Sequence, residues 1–194
     1  MNAKIILVGG YPRKAVDGGK ALCEEMVRGL HEPVKILVCL FARPQENWAE
    51  SFNSDQIFLH TNLPHTQLQC KLAEPNQFTQ QIKNSHVIYI KGGEAGLFIA
   101  TVKNIPDWTP ALAGKTVVGT SAGAEALFSY YYHVAHRRVE AGLGIIQEKL
   151  IPHWEAKENF PLVNWEQAYH ELENYKEPLP IVKLAEGEFV VTGI

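Results

Sequence analysis

The sequence predicts a three-layer α/β domain in which helices cover both faces of a mostly parallel central sheet. Three observations lead there. Short apolar runs rich in β-branched residues recur along the chain, they are nearly continuous rather than alternating, and segments with helical spacing separate them. A continuous run suits a strand buried on both faces, and the helices between runs supply the crossovers that parallel strands require.

The first run, Ile5-Ile6-Leu7-Val8, stops at Gly9-Gly10 and predicts a strand. Residues 19–30 place Ala21, Leu22, Met26, Val27 and Leu30 near three- and four-residue intervals, while Lys20, Glu24, Glu25 and Arg28 point elsewhere, which predicts an amphipathic helix. Further strands are expected at residues 34–41, 56–59, 86–90 and 116–119, and helices at 46–52, 76–83 and 96–102. A stronger helical pattern starts at Ala122 and runs into Tyr130-Tyr131-Tyr132. After His153 the pattern changes. Residues 165–175 read as an amphipathic helix closed by Pro178 and Pro180, and residues 181–191 as two short strands turning at Glu186-Gly187. No internal repeat or long linker divides residues 1–194, which are expected to form one domain.

Composition narrows the function. With 46% hydrophobic and 20% charged residues, the chain is neither disordered nor low-complexity. Eighteen Lys and Arg face 21 Asp and Glu, a formal charge of −3, and no segment concentrates basic residues, so nucleic acid is not an expected partner. No apolar run approaches the ~20 residues of a spanning helix, and neither a signal peptide nor a membrane segment is expected. Cys23, Cys39 and Cys70 lack CxxC spacing, and two of them fall in apolar periodic segments, which suits a reduced, cytoplasmic protein.

The stretch Thr116-Val117-Val118-Gly119-Thr120-Ser121-Ala122-Gly123-Ala124 carries the most chemistry: a buried strand enters Gly-x-Ser-x-Gly and passes directly into a helical pattern. A nucleophile elbow needs that context, because small neighbours let strand, helix and substrate approach a serine held on a sharp turn. The helix N-terminus would offer the Ala122 N–H to a developing oxyanion. A second donor is expected from Lys91-Gly92-Gly93-Glu94-Ala95-Gly96, which follows another strand, with Gly93 as the candidate. Tight strand-to-helix turns alone would also account for both glycine sites.

A serine hydroxyl needs a base and the base an acid. Eight histidines compete. His153 stands out because Leu150-Ile151-Pro152-His153-Trp154 ends an apolar run and places the ring at a strand end, while His60 and His86 lie in or beside other strand candidates, His133 and His136 follow the elbow helix, and His170 sits in a polar helix.

Four blocks in order, Tyr89-Ile90-Lys91-Gly92-Gly93-Glu94-Ala95-Gly96-Leu97-Phe98, Gly119-Thr120-Ser121-Ala122-Gly123-Ala124, Ile151-Pro152-His153-Trp154 and Leu184-Ala185-Glu186-Gly187-Glu188-Phe189, resemble peptidase family S51. That family contains the peptidase E aspartyl dipeptidases and the cyanophycinases. The resemblance implies a class I glutamine amidotransferase-like fold of flavodoxin-like topology. It maps the family's serine, histidine and glutamate onto Ser121, His153 and Glu186, and the oxyanion-hole amides onto Gly93 and Ala122. It also implies peptide hydrolysis through an acyl-enzyme, with no metal and no cofactor. The order Ser, His, Glu differs from the Ser, acid, His order of α/β-hydrolases. Glu155 is a competing acid, because His153-Trp154-Glu155 has the His-x-Glu spacing of glutamine amidotransferases.

Two departures bear on specificity. Glu94 stands where the family's glycine loop usually has Asn, and Glu125 where peptidase E has Asn after Ser-Ala-Gly-Ala. Two carboxylates near the elbow would favour a substrate ammonium or basic side chain and raise the His153 pKa; the plainer reading makes Glu94 a helix cap and Glu125 a solvated helix residue. The segment 155–175 contains Lys157 but no Arg, so a cation for a substrate carboxylate is expected from Arg137 or Arg138. The expected activity is a serine-type, dipeptidase-like hydrolase of a short peptide or related amide, with a cyanophycinase-like hydrolase or a non-catalytic ligand-binding protein as alternatives. A homodimer is the default assembly.

Overall fold

A computed structural model describes residues 2–193. In chain order its elements are β1 (Lys4–Val8), α1 (Lys20–Val27), β2 (Val34–Cys39), α2 (Trp48–Asn62), β3 (Leu68–Leu72), α3 (Phe78–Lys83), β4 (Val87–Ile90), α4 (Ala95–Val102), β5 (Thr116–Thr120), α5 (Ala122–Glu125), β6 (Phe128–His133), β7 (Arg138–Ala141), β8 (Ile146–Ile151), α6 (Trp165–Glu173), β9 (Ile181–Lys183) and β10 (Phe189–Gly193).

The central sheet has the order β10-β1-β5-β4-β2-β3, parallel throughout except where β10 pairs with β1. Read from β3 to β1 this is the flavodoxin-like succession, with β1, first in the chain, in the place of the last parallel strand. Alternate side chains feed two cores. Ile5, Leu7, Leu37, Ile88, Ile90 and Val117 pack with α3, α4 and α5, whereas Ile6, Val8, Ile36, Val38, Tyr89 and Val118 pack with α1 and α2. Both faces are covered, which is why these strands read as unbroken apolar runs.

Register sets the position of the site. Ile90 and Leu7 both pair with Gly119, and Val8 pairs with Thr120, so β4, β5 and β1 finish level at the carboxyl edge. Lys91-Gly92, Ser121 and Gly9-Gly10 therefore leave the sheet side by side.

The structure corrects several sequence expectations. Residues 56–59 lie in α2: Phe58 and Leu59 are buried while Ile57 is 59% exposed, a helical rather than a strand pattern. The strand in that part of the chain is β3, an edge strand whose Leu-Gln-Cys-Lys-Leu alternates half-buried and exposed positions and so carries a weaker apolar signal. The helix after the elbow ends at Glu125, and the tyrosines belong to β6, where aromatic side chains suit a pleated surface. That strand opens a second sheet, β7-β6-β8-β9, absent from the sequence expectation. In it β6, β8 and β9 run parallel and β7 runs antiparallel to β6. Helix α6 packs Trp165, Ala168 and Leu172 against Tyr132 and Ile151, and Asn164 caps it by accepting the Gln167 N–H at 3.1 Å.

The strands flanking Glu186 do not form a hairpin. β9 belongs to the second sheet and β10 to the central one, so residues 184–188 carry the chain between sheets. Among the described residues no helix is long and apolar enough to cross a membrane, and all three cysteines are free thiols. Burial pushes Cys23 up to about 12, which keeps it protonated and inert.

Candidate active site

Ser121 sits between β5 and α5 with φ 48° and ψ −117°, a conformation unfavourable for a residue with a side chain. Its surroundings impose it. The Ser121 N–H donates to Val8 O at 3.0 Å, and its carbonyl accepts the Ala124 and Glu125 N–H groups, both at 2.8 Å. The motif glycine Gly123 lies so close to Ile90 O that a Cβ would overlap it, which lets α5 settle against β4.

His153 arrives from the other sheet, just beyond β8, and its N–H donates to Gly9 O at 2.8 Å. Its ring lies directly over Gly10, where a Cβ would collide with Cε1. Tyr11 meets the ring edge-on at 5.4 Å, and Phe160 packs against it at 5.0 Å. Nε2 lies 2.9 Å from Ser121 Oγ and Nδ1 lies 3.0 Å from Glu186 Oε1. Glu186 Oε1 also accepts from Asn159 Nδ2 at 2.6 Å, and Oε2 accepts from Lys14 Nζ at 2.7 Å. Both carboxylate oxygens are thus occupied. Two backbone bonds place Glu186 there: Gly187 N–H to Gly10 O at 2.8 Å and Gly9 N–H to Glu188 O at 3.0 Å.

The electrostatics set the proton positions. Burial lowers the His153 pKa below its ordinary value, and Lys14 lowers it further, against the opposing pull of Glu186. The rise expected from Glu94 and Glu125 is therefore not found: desolvation outweighs the pull of Glu186, and neither of those two carboxyls is among the causes of the shift. Burial would raise Glu186, but bonds from Lys14, Asn159 and His153 hold it below the usual carboxylate range. An ionised Glu186 accepts a hydrogen bond from Nδ1–H, which keeps the proton there and leaves the Nε2 lone pair facing the Ser121 hydroxyl. Glu155, the competing acid, is exposed with φ 58°, and the carboxylate that meets His153 is that of Glu186.

Gly93 and Ala122 both present backbone N–H groups that carry no hydrogen bond among the described residues. The glycine loop is clamped from the segment after β2. Arg43 Nε donates to Gly92 O at 2.8 Å and its Nη1 to Ser51 Oγ at 2.8 Å, while the Glu94 N–H donates to Ala42 O at 2.7 Å. Because a trans peptide points its C=O and N–H in opposite directions, Arg43 turns the Gly93 N–H away from itself. Gly92 packs on Ser121, since a Cβ there would lie 3.2 Å from Ser121 Cβ.

These residues line a cleft of about 800 Å³. Arg13, Lys14 and Arg43 contribute positive charge to it and Glu94 negative charge, while Glu125 lines it as a buried carboxyl. Glu125 is 3% exposed, not solvated as the plainer reading has it, and burial pushes its pKa up to about 8, with Glu140 and Glu94 adding to the rise. Glu94 makes no side-chain cap bond; it faces His133 Nε2 at 3.5 Å. Arg137 and Arg138 do not line the cleft. They lie at the β6–β7 turn, where Arg138 is held by Glu140 at 2.7 Å, so the expected cations are replaced by Arg13, Lys14 and Arg43. Lys14, Asn159 and the Gly9-Gly10 corner were not anticipated; the only sequence signal was a Gly-Gly pair ending a buried strand.

The profile of peptidase family S51 matches residues 45–193. No curated protein matches the chain at a significant level. Among solved structures, a peptidase from an acI-B1 actinobacterium superposes with a TM-score of 0.68 at 20% identity, covering 99% of this chain and 84% of that one. A putative peptidase E protein from Listeria monocytogenes EGD-e gives a TM-score of 0.68 at 13% identity, covering 100% of this chain and 95% of that one. At such identities the likeness is one of fold.

Proposed function

This chain belongs to peptidase family S51, and from that membership we propose that it is a serine peptidase cleaving a short peptide or related amide through an acyl-enzyme. The observation that carries this reading is the continuous relay from Ser121 Oγ through His153 to Glu186, with contacts of 2.9 and 3.0 Å.

In this mechanism Ser121 Oγ attacks the scissile carbonyl carbon while His153 Nε2 takes its proton. The carbonyl oxygen becomes an oxyanion held by the Gly93 and Ala122 amides. Glu186 stabilises the imidazolium that forms. His153 then returns the proton to the leaving amine, the C–N bond breaks, and an ester on Ser121 remains. Water, deprotonated by His153, attacks that ester. The acid product leaves and the Ser121 hydroxyl is restored.

The charges lining the cleft support a substrate with both signs. A short peptide brings a carboxylate that Arg13, Lys14 or Arg43 can meet and an ammonium that Glu94 can meet. The buried Glu125 also favours a second reading, in which a guanidinium beside it draws off its proton and pairs with the carboxylate, as a cyanophycinase-like substrate would require.

The test is covalent labelling. A fluorophosphonate should modify the purified protein at Ser121, and Ser121→Ala should abolish both labelling and turnover of a small-peptide library. Absence of labelling under conditions that modify an active serine hydrolase would overturn the reading. Preference within the library for arginine-bearing isopeptides would select the second substrate class.

A further inference from the structure

At the rim of the cleft, outside the relay from Ser121 to Glu186, lies a cluster formed by the N-terminal end of α4 and the β6–β7 turn. Glu94, His133 and His136 each offer a ligand atom there, all within 4.8 Å of one another. His133 is 6% exposed, and its ring stacks on that of His136 at 3.8 Å and 8°. Stacking sets two imidazole edges side by side with parallel lone pairs, so one ring must turn before both meet a single ion, which the half-exposed His136 side chain permits.

The surroundings prepare these groups for a cation. His136 Nδ1 lies 3.2 Å from Glu140 Oε1, and Glu140 is itself held by Arg138 Nε at 2.7 Å and by the Tyr131 hydroxyl at 3.0 Å. A carboxylate fixed on Nδ1 keeps the ring proton there and leaves the Nε2 lone pair free, the orientation usual for a metal-bound histidine. His133 Nδ1 accepts the His136 N–H at 3.2 Å, so its proton sits on Nε2, facing Glu94 at 3.5 Å. That separation is too long for a strong charge-assisted bond. The carboxylates of Glu94 and Glu140 meet the two rings, Glu94 at His133 and Glu140 at His136.

We propose that Glu94, His133 and His136 form a binding site for a divalent cation of the zinc class at the rim of the cleft, and that its occupancy inhibits the peptidase. Two imidazoles and one carboxylate are a donor set suited to zinc, cobalt or nickel rather than calcium or magnesium. Donors around a tetrahedral zinc ion stand roughly 3.3 Å apart, so the site must close by about 1 Å or more, which the half-exposed Glu94 side chain permits. Binding at His133 Nε2 moves that ring's proton to Nδ1 and gives up the amide contact from His136; no proton is lost from the ring. Glu94 and His133 line the cleft, and Glu94 directly follows Gly93, so an ion held there occupies the acidic side that a substrate would use. The inhibitory effect rests on the peptidase reading; the binding does not.

The test is titration of the untagged full-length chain with zinc by equilibrium dialysis, and with cobalt by its visible absorption. About one ion per chain is expected, with affinity reduced at least about tenfold in His136→Ala and in the surface variant Glu94→Gln, and in a similar range in Glu140→Gln. Circular dichroism of each variant confirms that the chain is folded. No cobalt spectrum, or undiminished binding in His136→Ala and Glu94→Gln, overturns the site. Zinc should inhibit wild-type turnover reversibly and leave His136→Ala largely unaffected; binding without inhibition overturns the regulatory half. Should the chain lack peptidase activity altogether, the dialysis and the cobalt spectrum still decide the site.

Discussion

His153 reaches to within 2.9 Å of Ser121 although one residue follows a strand of the second sheet and the other a strand of the central sheet. The corner Gly9-Gly10 joins them. Its backbone accepts the His153 N–H and the Gly187 N–H, so one turn after β1 fixes His153 and Glu186 together.

Glu186 and Glu155 should separate cleanly. Glu186→Gln keeps the shape but loses the charge that holds Nδ1–H and stabilises the imidazolium, and kcat should fall by about 10³–10⁴. Glu155→Gln should leave kcat within about twofold. Equal losses in steady-state assays would reassign the acid.

The pH profile follows from His153. Burial lowers its pKa, so the reactive neutral ring persists on acidification, and the acid limb of kcat/KM should have its midpoint below 6.5. Glu186 raises that pKa, so Glu186→Gln should move the limb further to the acid side in its residual activity. A midpoint above 6.5 in the wild type would contradict the desolvation argument.

Gly10→Ala should cripple the enzyme without replacing a reacting group. The residue has φ 125°, and its Cβ would overlap the His153 ring. Turnover should fall by about 100-fold or more, and denaturant unfolding should show a loss of about 1–3 kcal/mol. Wild-type kinetics in this variant would mean that His153 is not held as described.

Arg43 is a positioning residue for the Gly93 amide. In Arg43→Ala the Gly92 carbonyl loses its 2.8 Å anchor, and kcat should drop about tenfold or more with a smaller change in KM. Arg43→Lys should not restore it, because a lysine cannot reach both Gly92 O and Ser51 Oγ as the guanidinium does. A rise in KM at constant kcat would instead make Arg43 a substrate contact alone.

Glu125 makes stability depend on pH. Its folded pKa of about 8 lies above the ordinary 4.5, so the unfolded chain ionises first and the wild type loses relative stability as pH rises from 4.5 towards 8. The Tm advantage of Glu125→Gln over wild type should widen across that range and then level off. A constant difference in calorimetry would place the carboxyl in contact with a compensating charge.

What could be read from the chain depended on how local each signal is. The buried strands were legible because coverage on both faces leaves a continuous apolar run, whereas β3, on the sheet edge, shows only alternation. Ser121 was legible because an elbow needs small residues beside it in sequence. The acid was not settled by spacing: Glu155 is nearer to His153 in the chain, but the crossover between sheets brings Glu186 to the ring instead.

By itself, then, the sequence determined the buried parallel strands, the strained serine turn and the ordered blocks of its family, all written in neighbouring residues. The tertiary structure alone decided what meets those residues. It formed the second sheet, gathered Gly10, Lys14 and Asn159 around His153 and Glu186, replaced Arg137 and Arg138 with Arg13, Lys14 and Arg43 in the cleft, and buried Glu125. These are contacts across long stretches of chain, set by the level finish of parallel strands and by desolvation, and neither leaves a mark at fixed sequence spacing.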